Sequence, residues 1–320
     1  MAPVSVVIPT FNSGHTIVEA LESVMRQTVR PAEAIVVDDV STDDTRRRLL
    51  PYFGRVRYVV QPNQGVSAAR NHGVRLARCG VVAFLDSDDV WHPRMVELQT
   101  RALAEDGASV LVGTQVYEWP SDAPPSPGDV KTLPLSEVPW KELVVRNLFT
   151  TSSVFVRREI LNRVGPFDDS LSGPEDHDMW LRIAEVAKVS LLNLRLVGYR
   201  RAAAGSLSKR VRSMEDGMRL ILRKLDARGA WDGRRVLRRK AYSYSSYSCA
   251  HMHRAEGSHA VALDRLLRSF AWYPWPYRRR EVPTHLTRLR MLVRLSLRAA
   301  RGRAARAGRE PVRAVGAGLS

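Results

Sequence analysis

Three carboxylates fall within four residues at Asp86-Ser87-Asp88-Asp89, directly after the apolar run Val81-Val82-Ala83-Phe84-Leu85. Like charges this close repel, so the cluster calls for a counter-charge, and a hard divalent cation is the fitting one. A cation held by one or two carboxylates shares its other positions with water and substrate phosphates. The stretch therefore points to a metal-bound, phosphate-bearing substrate. Three further groups carry comparable chemistry: Pro9-Thr10-Phe11-Asn12, Asp38-Asp39, and the segment from Asn63 through Gly65 and Arg70 to Asn71. A carboxylate can accept from a base N–H or a ribose hydroxyl, and an arginine can face a diphosphate.

These groups follow strand patterns or open a helix. Residues 4–8, 34–37, 56–60, 81–85 and 110–113 read as strands. Residues 16–25 have helical spacing, with Ile17, Ala20, Leu21 and Val24 on one face. Helices are also expected from the Ser41-Thr42-Asp43-Asp44 cap candidates to Leu50 and over 67–77. Strands alternating with helices imply right-handed βαβ units and a mainly parallel sheet. In such a sheet the four groups lie on one edge and converge on one crevice. Residues 119–139 hold Pro120, Pro124, Pro125, Pro127, Pro134 and Pro139, which marks a surface loop with a place over the site open to it. Beyond it, 151–156 read as a strand, 157–164 as a short helix, 165–168 as a turn and 175–187 as a helix.

The chain of 320 residues carries a net charge of +17, distributed unevenly. Residues 1–200 hold 22 Lys+Arg against 25 Asp+Glu, and residues 201–320 hold 28 against 8. The basicity thus belongs to the C-terminal part, which reads as helical from about residue 211. In the segment 286–301, Leu286, Leu289, Leu292, Val293, Leu297 and Ala300 share an arc, with Arg290, Arg294, Arg298 and Arg301 beside it. This pattern fits a packing helix with a solvated face, and equally a basic amphipathic helix making peripheral contact with an anionic membrane. Nucleic acid is electrostatically possible but has no recognisable motif or stacking platform to support it. The expected organisation is a catalytic domain over 1–208, a helical basic region over 209–301 and a disordered tail over 302–320. Cys79 and Cys249 make neither a disulfide framework nor a CxxC pair, which fits a reducing compartment. No run approaches the ~18 apolar residues of a membrane span. The start of the chain enters a strand directly, without a signal-peptide pattern, so a soluble, cytoplasmic protein is expected.

The order and content of the motifs resemble glycosyltransferase family 2, whose members have the nucleotide-sugar-binding GT-A fold. The matching stretches are Val4 to Asn12, Ile35 to Asp43, Asn63 to Gly73, Phe84 to Asp89, and Phe167-Asp168-Asp169-Ser170-Leu171 followed by Glu175-Asp176-His177-Asp178-Met179-Trp180-Leu181-Arg182. The resemblance covers roughly residues 3–200. It implies an α/β GT-A (Rossmann-like) sheet flanked by helices, with the basic helical region appended, and an inverting transfer from a nucleoside-diphosphate-sugar to a saccharide or lipid-linked acceptor, as in cell-surface polysaccharide synthesis. By that resemblance Asp39 contacts the nucleotide base and the backbone around Pro9-Thr10 lines its pocket. Gly65 and Arg70 belong to the donor-binding segment, Asp86 reaches the ribose or the metal, and Asp88 with Asp89 binds Mg2+ or Mn2+. Asp176 matches the family's general base. Relatives carry a Tyr-Arg-x-His-x-Gly-Ser pattern after the acidic helix. Here Tyr199-Arg200-Arg201-Ala202-Ala203-Ala204-Gly205-Ser206 lacks the His, leaving Arg200 or Arg201 as candidates for the diphosphate contact.

Plainer readings stand beside these. Asp38 and Asp39 suit helix caps, Asp176 suits a helix N-terminus, and Arg70 suits a carboxylate as well as a phosphate. Glu175 and Asp178 read as structural, Trp180 as core, and His72, His92 and His177 lack ligand spacing. Two other functions remain open. One is sugar-phosphate nucleotidyl transfer, for which the stretch after the first strand lacks the Gly-rich phosphate loop. The other is a nucleotide-sugar-binding scaffold without turnover.

Overall fold

The structure is a computed structural model and describes residues 2–124, 128, 130–200, 211–277 and 286–307, with side chains described as far as residue 297. The chain divides into two compact units, Met1–Ile221 and Leu222–Ser320. The break expected at 208/209 falls in 201–210, outside the described residues, as do Arg201 and most of the segment where the missing His was noted.

The first unit opens as alternating strands and helices: β1 (Val4–Thr10), α1 (Ile17–Met25), β2 (Glu33–Asp38), α2 (Thr45–Leu49), β3 (Arg57–Val60), α3 (Gly65–Leu76) and β4 (Val81–Phe84). Then come β5 (Val90–Trp91), α4 (Met95–Asp106), β6 (Ser109–Glu118), β7 (Leu135–Glu137), α5 (Trp140–Leu143), β8 (Phe155–Arg157), α6 (Arg158–Val164), α7 (Glu175–Val186), β9 (Lys188–Tyr199) and α8 (Val211–Ala227). The strands form one sheet in the order β3-β2-β1-β4-β8-β6-β9-β5, with β7 also on β9. Over β3-β2-β1-β4 every pairing is parallel, as the βαβ pattern requires. Beyond β4 the sheet is mixed: β8 lies antiparallel between β4 and β6, and β9 runs parallel to β6. The outer edge of β9 is shared by β7 at residues 190–192 and β5 at 197–198.

Both faces of the central strands are covered, so β1 is buried along its whole length and β4 likewise, with no alternation of polar residues. The expected apolar face of α1 is the buried one: Ile17, Ala20, Leu21 and Val24. Helix α3 approaches β1 so closely that a Cβ on Gly73 would stand 2.2 Å from Val7 Cγ1. Below the far end of the site, Trp180 packs against Phe84 and Phe167 with ring centroids 6.3 and 5.9 Å away, which makes it core as expected.

Two expectations are corrected here. The segment 151–156 is not a continuous strand: Thr151–Ser153 form a single tight helical turn, and the strand covers only Phe155–Arg157. The proline-dense stretch also contains β7 and is tied down, its Gly128, Val130 and Lys131 carbonyls accepting from Arg94 and Arg101 of α4.

The second unit is helical: the end of α8, then α9 (Arg235–Ala255), α10 (His259–Trp272) and α11 (Thr287–Ala307). Helix α11 thus runs six residues past the end expected at 301, and the rest of the expected tail, 308–320, lies outside the described residues. Ala250, Ala262, Leu266, Met291 and Leu295 form its small apolar core. Among the described residues no helix is long and apolar enough to cross a membrane.

Candidate active site

The loops after β1 and β2 are stitched together before any ligand is considered. Asn12, at φ +50°, accepts through Oδ1 from the backbone N–H groups of Thr42 and Asp43, and its own N–H donates to Ser41 Oγ. Asp43 in turn accepts from the Gly14 N–H at 3.0 Å. Pro9 and Thr10 close β1 in buried positions, and Thr10 Oγ1 is buried with no hydrogen-bond partner among the described residues. Its free hydroxyl is the type of group a base pocket would use, beside the Asp39 N–H that donates to the Thr10 carbonyl at 2.9 Å.

Asp38 and Asp39, adjacent in sequence, have separate tasks. Asp38 accepts from the Ser41 N–H at 2.8 Å and from the Tyr58 hydroxyl at 2.5 Å. Burial first, and then the Asp38 carboxylate, push the Tyr58 hydroxyl's pKa above its ordinary value. Asp39 is 4% exposed and accepts from Gln61 Nε2 at 2.8 Å, the Gln64 N–H at 3.0 Å and the Gly65 N–H at 2.8 Å. It satisfies N–H groups at the start of α3, which a helix leaves without partners. Asp39 therefore holds the 61–65 turn, a task the expected base contact had not included. Gly65 sits at φ +87°, where a side chain is strained.

Arg70 is the hub of the site. It is 3% exposed, and it donates to Asp86 Oδ1 at 2.7 Å and to Glu175 Oε1 at 2.6 Å. Burial opposes its charge, but Asp86 and Glu175 together hold its pKa above the ordinary arginine value. Of the two partners open to Arg70, carboxylate and phosphate, the structure shows the carboxylates. Glu175 completes the brace by accepting from the Gly173 N–H at 3.0 Å. Glu175 thus has the structural role expected of it.

The acidic turn itself is asymmetric. Asp89 is 2% exposed, with Oδ2 accepting from Ser152 Oγ at 2.6 Å and Oδ1 from the Arg200 N–H at 3.1 Å. Burial, then Asp88 and Asp86, push its pKa well up. Asp89 is therefore an internal brace rather than the presented metal ligand it was expected to be. Ser152, fully buried, also accepts from the Asp86 N–H at 3.0 Å. Nothing in its local sequence announced this role. Ser87 is joined to Ser13 by a 2.8 Å hydroxyl contact. Asp88 differs from its neighbours: its carboxylate makes no hydrogen bond or ion pair with another described residue. Burial and then Asp86 push its pKa to about 6, against the pull of Arg200 and His15. Arg200 donates through Nε to the Asp88 carbonyl at 3.0 Å and pairs with Glu19. It props the acidic turn instead of standing free for a diphosphate.

Asp176 stands in the first turn of α7 and keeps part of its surface open. Oδ1 accepts from the His177 N–H at 2.6 Å and Oδ2 from Asn147 Nδ2 at 3.2 Å. Burial first, and then the Glu175 charge, raise its pKa to about 7, against Arg70 and these donors. A carboxylate poised there is suited to accept a proton near neutral pH. His177 is buried against the Leu143 carbonyl at 2.7 Å, with burial lowering its pKa, and takes no ligand position. Asp178 is paired with Arg182 at 2.8 Å, the structural role expected of it. The turn before α7 is held from α3, where Asn71 exchanges hydrogen bonds of 2.9 and 2.8 Å with the Phe167 carbonyl and N–H.

The sequence pattern of glycosyl transferase family 2 matches residues 5–169, which run from the second residue of β1 past the end of α6. The chain belongs to glycosyl transferase family 2. It is 29% identical over 192 residues to the UDP-Glc:alpha-D-GlcNAc-diphosphoundecaprenol beta-1,3-glucosyltransferase WfgD of Escherichia coli, covering 59% of this chain and 73% of that one. It is also 29% identical over 206 residues to a chondroitin synthase of Escherichia coli, covering 59% of this chain. The chain spans 28% of the length of that synthase and 32% of an uncharacterized glycosyltransferase of Rickettsia conorii that it also matches. Among solved structures, residues 1–349 of Staphylococcus aureus TarS superpose with a TM-score of 0.61 at 20% identity, over 85% of this chain and 81% of that one. The same protein in complex with UDP-GlcNAc gives a TM-score of 0.59 at 19% identity, over 86% and 93%. The fold is therefore the GT-A α/β fold of this family, with a helical C-terminal extension.

Proposed function

We propose that the chain is an inverting glycosyltransferase moving a sugar from a nucleoside-diphosphate donor to a hydroxyl of a saccharide or lipid-linked acceptor. The observation that carries this reading is the line of charges from Asp86 through Arg70 to Glu175, with Asp176 next along α7. It ties an acidic turn able to face a diphosphate to a carboxylate of raised pKa in one braced unit. Family membership supports the reaction class. The printed name of WfgD, a transferase acting on a diphosphoundecaprenol-linked sugar, supports a lipid-linked acceptor.

In this reading Asp176 takes the proton of the acceptor hydroxyl as that oxygen attacks the anomeric carbon. The attack comes from the face opposite the leaving diphosphate, so the anomeric configuration inverts. Asn147 and the His177 N–H hold the carboxylate in place, while Asp39 and Thr10 shape the nucleotide end. The residues present also fit Mg2+ or Mn2+: the donors are all oxygens, and the Asp88 carboxylate has no hydrogen bond or ion pair with another described residue. Among the described residues no group of three or more His, Cys, Asp and Glu side chains forms a metal cage, so Asp88 with Asp86 would hold the ion together with substrate phosphates and water. When bound, such an ion supplies neutralisation of the charge developing on the diphosphate.

The test is a panel of nucleoside-diphosphate sugars with Mn2+ and lipid-linked or free saccharide acceptors, on wild type, Asp88→Ala and Asp176→Ala. Asp176→Ala is expected to lose a factor of roughly 10²–10⁴ in turnover while still binding donor. Product of inverted configuration from wild type supports the reading. Donor binding without turnover across the panel, or undiminished turnover in Asp176→Ala, overturns it.

A further inference from the structure

The net positive charge of the chain resides wholly in the second unit: Leu222–Ser320 holds 23 Lys+Arg against 6 Asp+Glu, and Met1–Ile221 holds 27 against 27. Within that unit, α11 is fixed in an unusual rotation by Arg288. This residue is 5% exposed, and its guanidinium donates to Ser243 Oγ at 2.9 Å, to the Tyr273 carbonyl at 2.7 Å and to the Trp275 carbonyl. It also lies over the rings of Phe270 and Tyr277, at 4.7 and 4.4 Å. A guanidinium pays heavily for burial unless its donors are met, so these acceptors decide which face of α11 turns inward. The inward face is Arg288, Met291 and Leu295.

The other face therefore carries a second set of apolar residues outward. Leu289, Val293 and Leu297 are 49%, 52% and 55% exposed, and Leu286, just ahead of the helix, is 51% exposed. Their spacing keeps them on one stripe, with Arg290 and Arg294 exposed along its flank. Trp275, at 68% exposure, is tied to the start of α11 through its carbonyl bond with Arg288.

We propose that this stripe of α11, with Arg290, Arg294 and Trp275, is a docking surface for an anionic lipid bilayer. Apolar side chains of this density enter the headgroup–acyl boundary, arginines on the flank meet anionic headgroups, and an exposed tryptophan suits the interface. Charge selects this occupant over others. A second copy would bring two strongly basic units together, and a nucleic acid would leave the leucine stripe in water. The inference stands independently of the transfer reaction, because none of these residues belongs to the candidate active site.

The experiment is sedimentation of the full chain with vesicles of neutral phosphatidylcholine, or of the same lipid with ~30% phosphatidylglycerol. Binding to the anionic vesicles is expected to be at least roughly tenfold tighter, and to fall about tenfold in Leu289→Glu/Val293→Glu and in Arg290→Glu/Arg294→Glu. Val236→Glu, at an equally exposed site on α9, is expected to stay within about twofold of wild type. As a readout that needs no charge in the stripe, brominated lipid should quench emission in wild type more than in Trp275→Phe. Equal binding to neutral vesicles, unchanged binding of the Leu289→Glu/Val293→Glu protein, or a wild-type dimer that this variant dissociates would each overturn the proposal. Donor turnover measured without vesicles separates this outcome from failure of the transferase reading.

Discussion

Arg70 and Glu175, 105 positions apart in sequence, meet in a buried ion pair of 2.6 Å. Each side chain is 4% exposed, and Arg70 spends its second Nη on Asp86. Removing one member of such a pair strands the other charge in the interior. Glu175→Ala is accordingly expected to cost on the order of 3–5 kcal/mol in denaturant unfolding, with Glu175→Gln milder because it retains a hydrogen bond to Arg70. An unchanged midpoint in Glu175→Ala would show the pair to be idle.

The same residue tunes its neighbour. After burial, the Glu175 charge is the largest cause of the raised Asp176 pKa. A base works when deprotonated, so turnover is expected to rise with pH through about 7. Neutralising the neighbour in Glu175→Gln moves that rising limb to lower pH, since one cause of the elevation is removed. A pH profile of kcat checks this, and a limb that moved upward or stayed fixed would contradict it.

Asp88 carries a stability cost that reverses the usual carboxylate behaviour. Its folded pKa of about 6 lies above the ordinary 3.8, so the folded state holds the proton more tightly than the unfolded chain. The stability it contributes is full below about pH 4 and is lost as pH rises through about 6. Asp88→Asn is expected to raise metal-free stability at pH 8 by on the order of 1–3 kcal/mol and to leave it little changed at pH 4. Thermal melts across pH test the sign. In the same melts Mn2+ should stabilise wild type at pH 8 and fail to stabilise Asp88→Asn.

Asp39 gives a prediction that divides folding from binding. Three donors converge on it, so Asp39→Ala should lose on the order of 2–4 kcal/mol, whereas a residue serving the nucleotide alone would lose almost nothing. Calorimetric unfolding of the ligand-free protein distinguishes the two.

Gly73 tests the packing of α3 on β1. Its missing Cβ would stand 2.2 Å from Val7 Cγ1, in a core with no slack. Gly73→Ala is expected to destabilise by roughly 1–3 kcal/mol despite alanine's better helix propensity, as measured by urea unfolding. A stabilised variant would mean that α3 can shift away from the sheet.

How far the sequence disclosed this arrangement depended on locality. β1, β2, β4 and α3 were legible, though with boundaries displaced by one or two residues, because each strand and helix of the βαβ units has its own periodicity. β9 was not, because its twelve residues pair with β6 some 80 positions earlier through a ladder interrupted by register shifts near Thr114–Gln115. The acidic cluster was legible as a cluster, yet not the division of labour within it. Asp89 is sequestered by Ser152 and Arg200, both far away in the chain, and Asp88 is left as the presented carboxylate. In α11 the arc expected to be apolar divides, with Leu286, Leu289, Val293 and Leu297 exposed and Leu292 packed on the core, because Arg288 turns Met291 and Leu295 inward instead.

Ser152 joins the Asp86 N–H to the Asp89 carboxylate, and it stands just ahead of β8, the strand wedged between β4 and β6. During synthesis on the ribosome, residues 86–89 therefore emerge more than sixty positions before the hydroxyl that shapes them. The nascent amino-terminal half can pair β1 through β4, yet its acidic turn stays unshaped until β8 slots into place. The shape of the acidic turn consequently reports on completion of the sheet, and a chain arrested before residue 152 would carry the whole acidic motif without the hydroxyl that braces it.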